Sequence, residues 1–154
     1  INIEDIAWSL SMQCRFGGCC PRHYSVAEHS MFVAELCPRP KAFAGLMHDA
    51  HEAYVQDINT GFKQALGPTF RHFDRAWADA VAFHFGLTSG KDPDVHHADM
   101  LALATERRDL GLLDDVEWPT LKGYEAVPSH IPNLTQLGAF ELFLATFKAL
   151  QVCN

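Results

Sequence analysis

The sequence predicts an all-α fold, formed by one compact helical domain of about six or seven helices over residues 1–154. Most apolar residues recur at the three-to-four-residue spacing of an amphipathic helix, and no segment alternates apolar with polar residues as a half-buried strand does. The length of 154 residues and the apolar share of 48% are typical of a single globular domain with a sizeable core. No internal repeat, low-complexity tract or linker divides the chain.

Capping residues and helix breakers set the limits of the predicted helices. Asn2 is a candidate N-cap, and Ser25 with Glu28 forms a capping-box pattern at the start of a second helix. Asp92 followed by Pro93 is a cap and first-turn pair that opens a later helix. The predicted helices cover residues 2–12, 26–36, 41–55, 60–66, 69–85, 93–110 and 133–151.

Composition and charge argue against several classes of protein. Twelve basic against 19 acidic residues give a net charge of −7, which argues against a duplex nucleic-acid partner but allows a pocket for a small anion. No segment has the roughly 20 apolar residues of a membrane span, and the N-terminus INIEDIAWSL is acidic where a signal peptide is basic. The five cysteines include no C-x-x-C pair, which favours a reducing compartment. We therefore expect a cytoplasmic protein with no membrane partner.

A zinc knuckle is one interpretation of the glycine-rich segment CRFGGCCPRH, whose candidate ligands are Cys14, Cys19, Cys20 and His23. Adjacent cysteines do not easily reach one ion in the usual tetrahedral spacing. A cysteine nucleophile beside His23 is another interpretation of the same segment. We favour a third interpretation, in which this segment is a binding loop beside a metal site formed elsewhere.

His48 and Asp49 begin the segment HDAHEAYVQD, which is predicted to continue a core-facing helix. Adjacent side chains on a helix point about 100° apart, so that both can reach an ion placed between their directions. Glu52 follows at helical spacing and lies on the same side. The alternative is a solvated acidic face, which predicts no matching group elsewhere in the chain.

Two other predicted helices supply a matching group. His29 shares a helix face with apolar residues, and Asp99 also lies among apolar residues, where a buried carboxylate requires a cation. The helix face that carries Asp99 has no Lys or Arg before Arg107. Two imidazoles and two carboxylates, with His48 and Asp49 as the other pair, suit one divalent Mn, Co, Fe, Ni or Zn ion and are compatible with Mg. Such a set leaves coordination positions open for substrate.

The pattern H…HD…D resembles that of the HD-domain metal-dependent phosphohydrolases, and it spans about residues 13–110 with the similar segments SVAEHS and ADMLALATE. The second motif, H-D-x-x-E-x-x-x-x-D, is similar to that of the 5'-deoxynucleotidases and related nucleotide hydrolases. The resemblance implies an HD-type helical domain. It also implies one divalent ion bound by four residues, namely His29, His48, Asp49 and Asp99.

The resemblance further implies which residues act on the substrate. Glu52 corresponds to the residue that orients or deprotonates the attacking water, and Asp57 to one that holds the leaving group or the sugar. Arg15 and Phe16 stand where the deoxynucleotidases have an Arg-Trp pair that contacts phosphate and sugar, with phenylalanine in place of tryptophan. Two further candidates for contacts with the phosphates are Lys63 and His96.

The expected function is therefore hydrolysis of a small-molecule nucleotide substrate, best described as a 5'-(deoxy)nucleotide monophosphatase. One alternative is a deoxynucleoside triphosphate triphosphohydrolase, for which Lys63 and Arg71 are the candidate additional cations. Another is a phosphodiesterase for cyclic or dinucleotides. A non-catalytic metal-binding assembly module is the non-enzyme alternative, and the presence of Glu52 and Asp57 argues against it. Aromatic residues along segment 69–85 are compatible with core packing or with a homo-oligomer interface.

Overall fold

Seven α-helices and three short 3-10 helices form the described chain, which covers residues 1–112 and 115–151 of the computed structural model and contains no strand within those ranges. The predicted all-α fold is confirmed. No helix in the described ranges combines the length and apolar character that crossing a membrane requires. The α-helices are α1 (Ile3–Met12), α2 (Val26–Leu36), α3 (Ala42–Met47), α4 (Glu52–Val55), α5 (Thr60–His84), α6 (Pro93–Leu110) and α7 (Gln136–Gln151).

The predicted N-caps of α1, α2 and α6 are confirmed. The side chain of Asn2 accepts a hydrogen bond from the amide two residues further on, at 2.9 Å. At α2, the amide of Glu28 donates to Ser25 Oγ at 3.1 Å, and Glu28 Oε2 accepts from the amide of Ser25 at 2.8 Å. Asp92 accepts from two amides in the first turn of α6, which begins with Pro93 as predicted. These caps satisfy amides that have no partner within their helices.

Helix α2 lies at the centre of the fold and contacts α1, α3, α6 and α7. Nine of its 11 residues are buried, so that polar side chains on its inner faces lie far from bulk solvent. One apolar cluster joins α2 to α1, α3 and α7, and a second joins α2 to α6. The larger buried members of the two clusters are Ile6, Leu10, Leu46, Phe143, Phe32 and Val33.

The predicted continuous helix over residues 41–55 is wrong, because turns at residues 48–51 separate α3 from α4. The amide of Glu52 donates to the carbonyl three residues back, at 2.9 Å, instead of four residues back. His48 Nδ1 contacts the carbonyl oxygen of Gly45 at 2.8 Å, and such a side-chain contact competes with the regular helical ladder. The chain therefore winds more tightly where it carries the HD dipeptide.

Helix α5 also differs from the prediction of two helices over 60–66 and 69–85. It continues from Thr60 to His84 across a kink at Gly67, whose φ of 74° is accessible to glycine at little cost. Asn59 is the N-cap, and its side chain accepts from the amide of Phe62 at 3.0 Å. Thr60 is thus the first helical residue.

The last helix begins at Gln136, three residues after the predicted start at Asn133. The chain before it is held against α2, because the amide of Leu134 donates to Glu28 Oε1 at 2.9 Å. The amide two residues into the helix donates to Thr135 Oγ1 at 3.1 Å, which makes Thr135 the residue that caps α7. A tertiary contact therefore delays the start of this helix.

Candidate metal centre

The side chains of His29, His48 and Asp99 meet where α2, the end of α3 and α6 pack together. Each offers one ligand atom, and the three atoms lie within 4.8 Å of one another. Among the residues that the structure describes, this is the only group of three or more His, Cys, Asp and Glu side chains with such spacing. The cluster can therefore hold a metal ion, as the sequence predicts.

Asp49, the fourth predicted ligand, reaches the same two imidazoles. Its Oδ2 lies 3.6 Å from His29 Nε2 and 3.1 Å from His48 Nε2. Asp99 Oδ1 lies 3.3 Å from His29 Nε2. The imidazole of His29 is fully buried, whereas the carboxylates of Asp49 and Asp99 are 21% and 26% exposed, so that the cluster is open to solvent on the carboxylate side.

Unpartnered nitrogen atoms test whether this donor set fits an ion. Nε2 of His29 and Nε2 of His48 are buried and lack hydrogen-bond partners among the described residues, although carboxylates lie nearby. Each Nδ1 contacts an acceptor-only group, the ionised Glu106 at 2.6 Å or the Gly45 carbonyl at 2.8 Å, and therefore carries the proton. In the neutral imidazole each Nε2 then presents a lone pair, which a divalent cation satisfies. The residues present fit the ion.

The site is strongly polarised when it holds no metal. Burial by itself lowers the pKa of His48, but the adjacent Asp49 and Asp99 outweigh burial and raise that pKa to about 9. Burial also disfavours the charged form of Asp49, whereas His48 and His29 pull its pKa far below the usual value. The metal-free site is therefore an ion-pair network, in which a metal ion would replace protons on the imidazoles.

Glu52 is the first residue of α4, directly after the turns at residues 48–51 that carry the HD dipeptide, and it is 4% exposed. Lys63 of α5 lies 3.3 Å from its Oε1, while its Oε2 is buried with no hydrogen-bond partner in the described chain. Burial, followed by repulsion from Asp49 and Asp57, raises the pKa of Glu52 well above its usual value, although Lys63 opposes this. Lys63 thus holds one carboxylate oxygen of the predicted base, and the other oxygen can accept a hydrogen bond from a ligand.

Arg15 lies in a short 3-10 turn, Arg15–Gly18, between α1 and α2. Its Nη2 lies 3.0 Å from Glu106 Oε2, and its buried Nε has no hydrogen-bond partner among the described residues. The charge of Arg15 helps to lower the pKa of Asp49, so that its guanidinium acts electrostatically on the metal cluster. The ring of Phe16 lies 5.3 Å from that guanidinium and 6.3 Å from the ring of Trp118.

Asp57 and His96 make fewer contacts with the cluster. The amide of Asp57 donates to Gln13 Oε1 at 3.0 Å, and Gln13 Nε2 donates to the carbonyl oxygen of Glu52 at 3.1 Å. Gln13 therefore holds both ends of the segment that carries Glu52 and Asp57. The imidazole of His96 is exposed on α6.

Glu106 is the principal residue of this centre to which the sequence analysis gives no role. It follows Asp99 by seven residues, or two helical turns, which places both side chains on one face of α6. That spacing, at the end of the segment ADMLALATE, is the signal that could have identified it. His51 also receives no role, and its Nε2 lies 3.5 Å from Asp74 Oδ1 on α5.

The structure gives no support to the zinc-knuckle interpretation. The Sγ atoms of Cys14 and Cys20 are 3.5 Å apart, but Cys19 is exposed. His23 Nε2 faces the carbonyl oxygen of Met12 at 3.4 Å. The metal-compatible group of the described chain therefore involves none of these residues.

Two bacterial relatives are similar to this chain. The uncharacterized protein YfdR of Escherichia coli K12 is 40% identical over 151 residues, which are 97% of this chain and 84% of YfdR. An uncharacterized protein of Rhodobacter capsulatus is 38% identical over 96 residues, which are 56% of this chain and 49% of that protein. No known protein-family model matches the chain.

Proposed function

The chain belongs to the YfdR family, and we propose that it is a divalent-metal-dependent phosphohydrolase that releases phosphate from 5'-(deoxy)nucleotide monophosphates. One observation carries the proposal. Two buried imidazole nitrogens, which have no hydrogen-bond partner in the described ranges of the chain, face two partly exposed carboxylates at one point of the fold. The resemblance of the H…HD…D pattern to the HD-domain phosphohydrolases supports this reaction class, and we infer that the chain has an HD-type domain.

Four side chains would hold the ion, namely His29, His48, Asp49 and Asp99. When bound, a divalent ion of the kind that this donor set suits acts as a Lewis acid on a phosphoryl oxygen and lowers the pKa of water. Because the two carboxylates are partly exposed, a substrate can reach the ion from the solvent side. The buried side of the centre is closed by α2.

Glu52 is the proposed proton acceptor for the attacking water. Lys63 fixes one carboxylate oxygen, while the other has no hydrogen-bond partner among the described residues and can accept a proton. A nearby divalent cation favours the ionised form of Glu52, against the effect of burial and of Asp49. The ion thus keeps Glu52 in the ionised form that accepts a proton, while its buried surroundings strengthen that carboxylate as a base.

Arg15 and Phe16 are the proposed contacts for the phosphate and the sugar. The buried Nε–H of Arg15 has no hydrogen-bond partner within residues 1–112 and 115–151, and it can donate to a phosphate oxygen. Asp57 is the proposed contact for the leaving group or the sugar. The contact between Lys63 and Glu52 favours a monophosphate over a triphosphate, because it engages one cation that a longer phosphate chain would need. His96 remains a candidate for substrate contact at the solvent-exposed side.

A nucleotide panel tests the proposal. Protein stripped of metal is reloaded separately with Mn, Co, Ni, Zn or Mg and incubated with deoxynucleoside and nucleoside monophosphates, deoxynucleoside triphosphates and cyclic dinucleotides. We expect metal-dependent release of inorganic phosphate from monophosphates and none with the matched Asp99→Asn variant. Release of tripolyphosphate from triphosphates, or cleavage of a diester alone, would replace the proposal by one of the other hydrolase reactions. No turnover of any substrate by metal-loaded protein would contradict the hydrolase proposal.

A further inference from the structure

We propose that Glu106 is a positioning residue that fixes the metal ligand His29 and the phosphate-binding Arg15 at the same time, and so couples the metal site to the anion site. The part concerning Arg15 rests on the proposed function, whereas the part concerning His29 requires only a metal site. Nothing in the reaction itself calls for Glu106 to touch the substrate. Its role is to orient the two groups that do touch the ion and the phosphate.

The carboxylate of Glu106 is completely buried between α6, α2 and the Arg15 turn. Oε1 lies 2.6 Å from His29 Nδ1 and 3.1 Å from Tyr24 Oη, and Oε2 lies 3.0 Å from Arg15 Nη2. The carboxylate therefore faces a guanidinium, a phenol hydroxyl and an imidazole at hydrogen-bond distance. Glu106 is thus an acceptor surrounded by three donors.

The contact with His29 decides which ring nitrogen is available to an ion. The carboxylate that forms an ion pair with Arg15 accepts a hydrogen bond from His29, so that in the metal-binding form of His29 Nδ1 carries the proton and Nε2 presents its lone pair. His29 Nε2 is buried, has no hydrogen-bond partner in the part of the chain that the structure describes, and faces Asp99 Oδ1 at 3.3 Å. Carboxylates that orient metal-bound histidines in this way typically change metal affinity by about 10–100-fold when they are replaced.

The contact with Arg15 connects the same carboxylate to the proposed phosphate contact. Arg15 reaches Glu106 through Nη2, and its Nε–H has no hydrogen-bond partner in the described chain. A glutamine at position 106 has nearly the same shape but only one accepting oxygen, and its NH₂ group would face a donor. Glu106→Gln must therefore break the contact with His29 or the contact with Arg15, or weaken both.

The first test measures the tautomer and the metal affinity without any substrate. In zinc-loaded protein, long-range ¹⁵N–¹H NMR is expected to show the His29 ring protonated at Nδ1, with the signal assigned by its loss in the His29→Gln variant. Competition with a chromophoric chelator is expected to show zinc affinity weakened about 10–100-fold by Glu106→Gln. The matched control is Asp94→Asn, an exposed carboxylate on the same helix, which should leave the affinity unchanged. An unprotonated Nδ1 in the native protein, or wild-type zinc affinity in Glu106→Gln, would overturn the proposal.

The second test measures the coupling, with inorganic phosphate as the probe and zinc at saturation. Arg15→Gln should weaken phosphate binding at least tenfold in the otherwise native protein but less than threefold when Glu106→Gln is also present, because Arg15 is then no longer held. Equal effects in both backgrounds would refute the coupling. Neither test requires turnover, so that an inactive protein that passes both would refute the proposed function and leave the role of Glu106 intact. If Glu106→Gln does not fold, the tautomer measured in the native protein still decides the first claim.

Discussion

Replacement of Glu52 by Gln should abolish catalysis without disrupting the metal site. The variant keeps the size of the side chain and an oxygen that can accept from Lys63 Nζ, which lies 3.3 Å from Glu52 Oε1. It removes the only change of charge state that the proposed mechanism requires of this residue. We therefore expect the ion to remain bound while the rate of phosphate release collapses.

The loss of the general base should lower the rate far more than the loss of the ion pair between Glu52 and Lys63. A general base typically contributes about 10²–10⁴-fold to the rate, which corresponds to about 2.7–5.4 kcal/mol of transition-state stabilisation. The ion pair with Lys63 contributes about 1 kcal/mol or less, because the Lys63 side chain is 30% exposed and therefore screened by solvent. A loss of kcat by two orders of magnitude or more is thus too large to be explained by the lost ion pair.

The same substitution should make the metal-free protein more stable than the wild type, although it lowers the rate of phosphate release. Burial and Asp49 raise the pKa of Glu52 in the folded, metal-free protein above its usual value of 4.5. Ionisation of Glu52 therefore costs the folded state stability as the pH rises above about 4.5, and this cost is absent below that pH. Metal-free Glu52→Gln should accordingly unfold at a higher urea concentration than the wild type at pH 8, with the difference disappearing near pH 4.

Three measurements complete this test: phosphate release, zinc affinity by chelator competition, and urea unfolding followed by circular dichroism. Lys63→Met is the matched control, since it removes the same ion pair but keeps the carboxylate. A kcat for Glu52→Gln within threefold of the wild type would refute Glu52 as the base. Lower stability of the variant at pH 8 would refute the electrostatic account of its burial.

Further predictions concern the metal, the core and the HD turn. Because the pKa of metal-free His48 is about 9, its proton alone should make metal affinity rise about tenfold per pH unit between pH 6 and 8 and less above pH 9, as calorimetric titration can show. Metal at about 100 times its Kd should stabilise the fold by about 2.7 kcal/mol in thermal unfolding, and chelation should remove this gain. Phe143→Ala should lower the free energy of unfolding by about 3–5 kcal/mol in urea titrations, because the ring is fully buried. Gly45→Ala places a Cβ 2.6 Å from Cys37 Sγ and should cost about 1–3 kcal/mol while weakening metal binding through the displaced carbonyl at His48.

Local signals in the sequence predicted most of the helix starts. Asn2, Ser25 and Asp92 cap the helices that they were expected to cap, because an N-cap depends on amides only two or three residues away. A tertiary contact explains the late start of α7. The amide of Leu134 donates a hydrogen bond to Glu28, which lies 106 residues earlier in the chain. No local pattern encodes a contact over such a separation.

In the candidate site, too, the sequence predicted some features, whereas contacts between distant residues determined others. The sequence predicted that His29, His48 and Asp99 would meet, because buried polar residues on separate apolar helix faces need one another. It did not predict the turn after His48, which depends on a contact between an imidazole and a backbone carbonyl. Nor did it give a role to Glu106, whose partners on α2 and in the Arg15 turn lie far away in sequence.

An anomalous difference map from cobalt-loaded crystals tests the central claim most directly, namely that four side chains from α2, α3 with its following turn, and α6 bind one divalent ion. Data collected just above the cobalt absorption edge should show one strong peak in contact with Nε2 of His29 and of His48 and with carboxylate oxygens of Asp49 and Asp99. The peak should disappear in the His48→Asn variant. A cobalt-loaded protein with no peak at this position, or with its peak beside Cys14 and Cys20, would contradict the account.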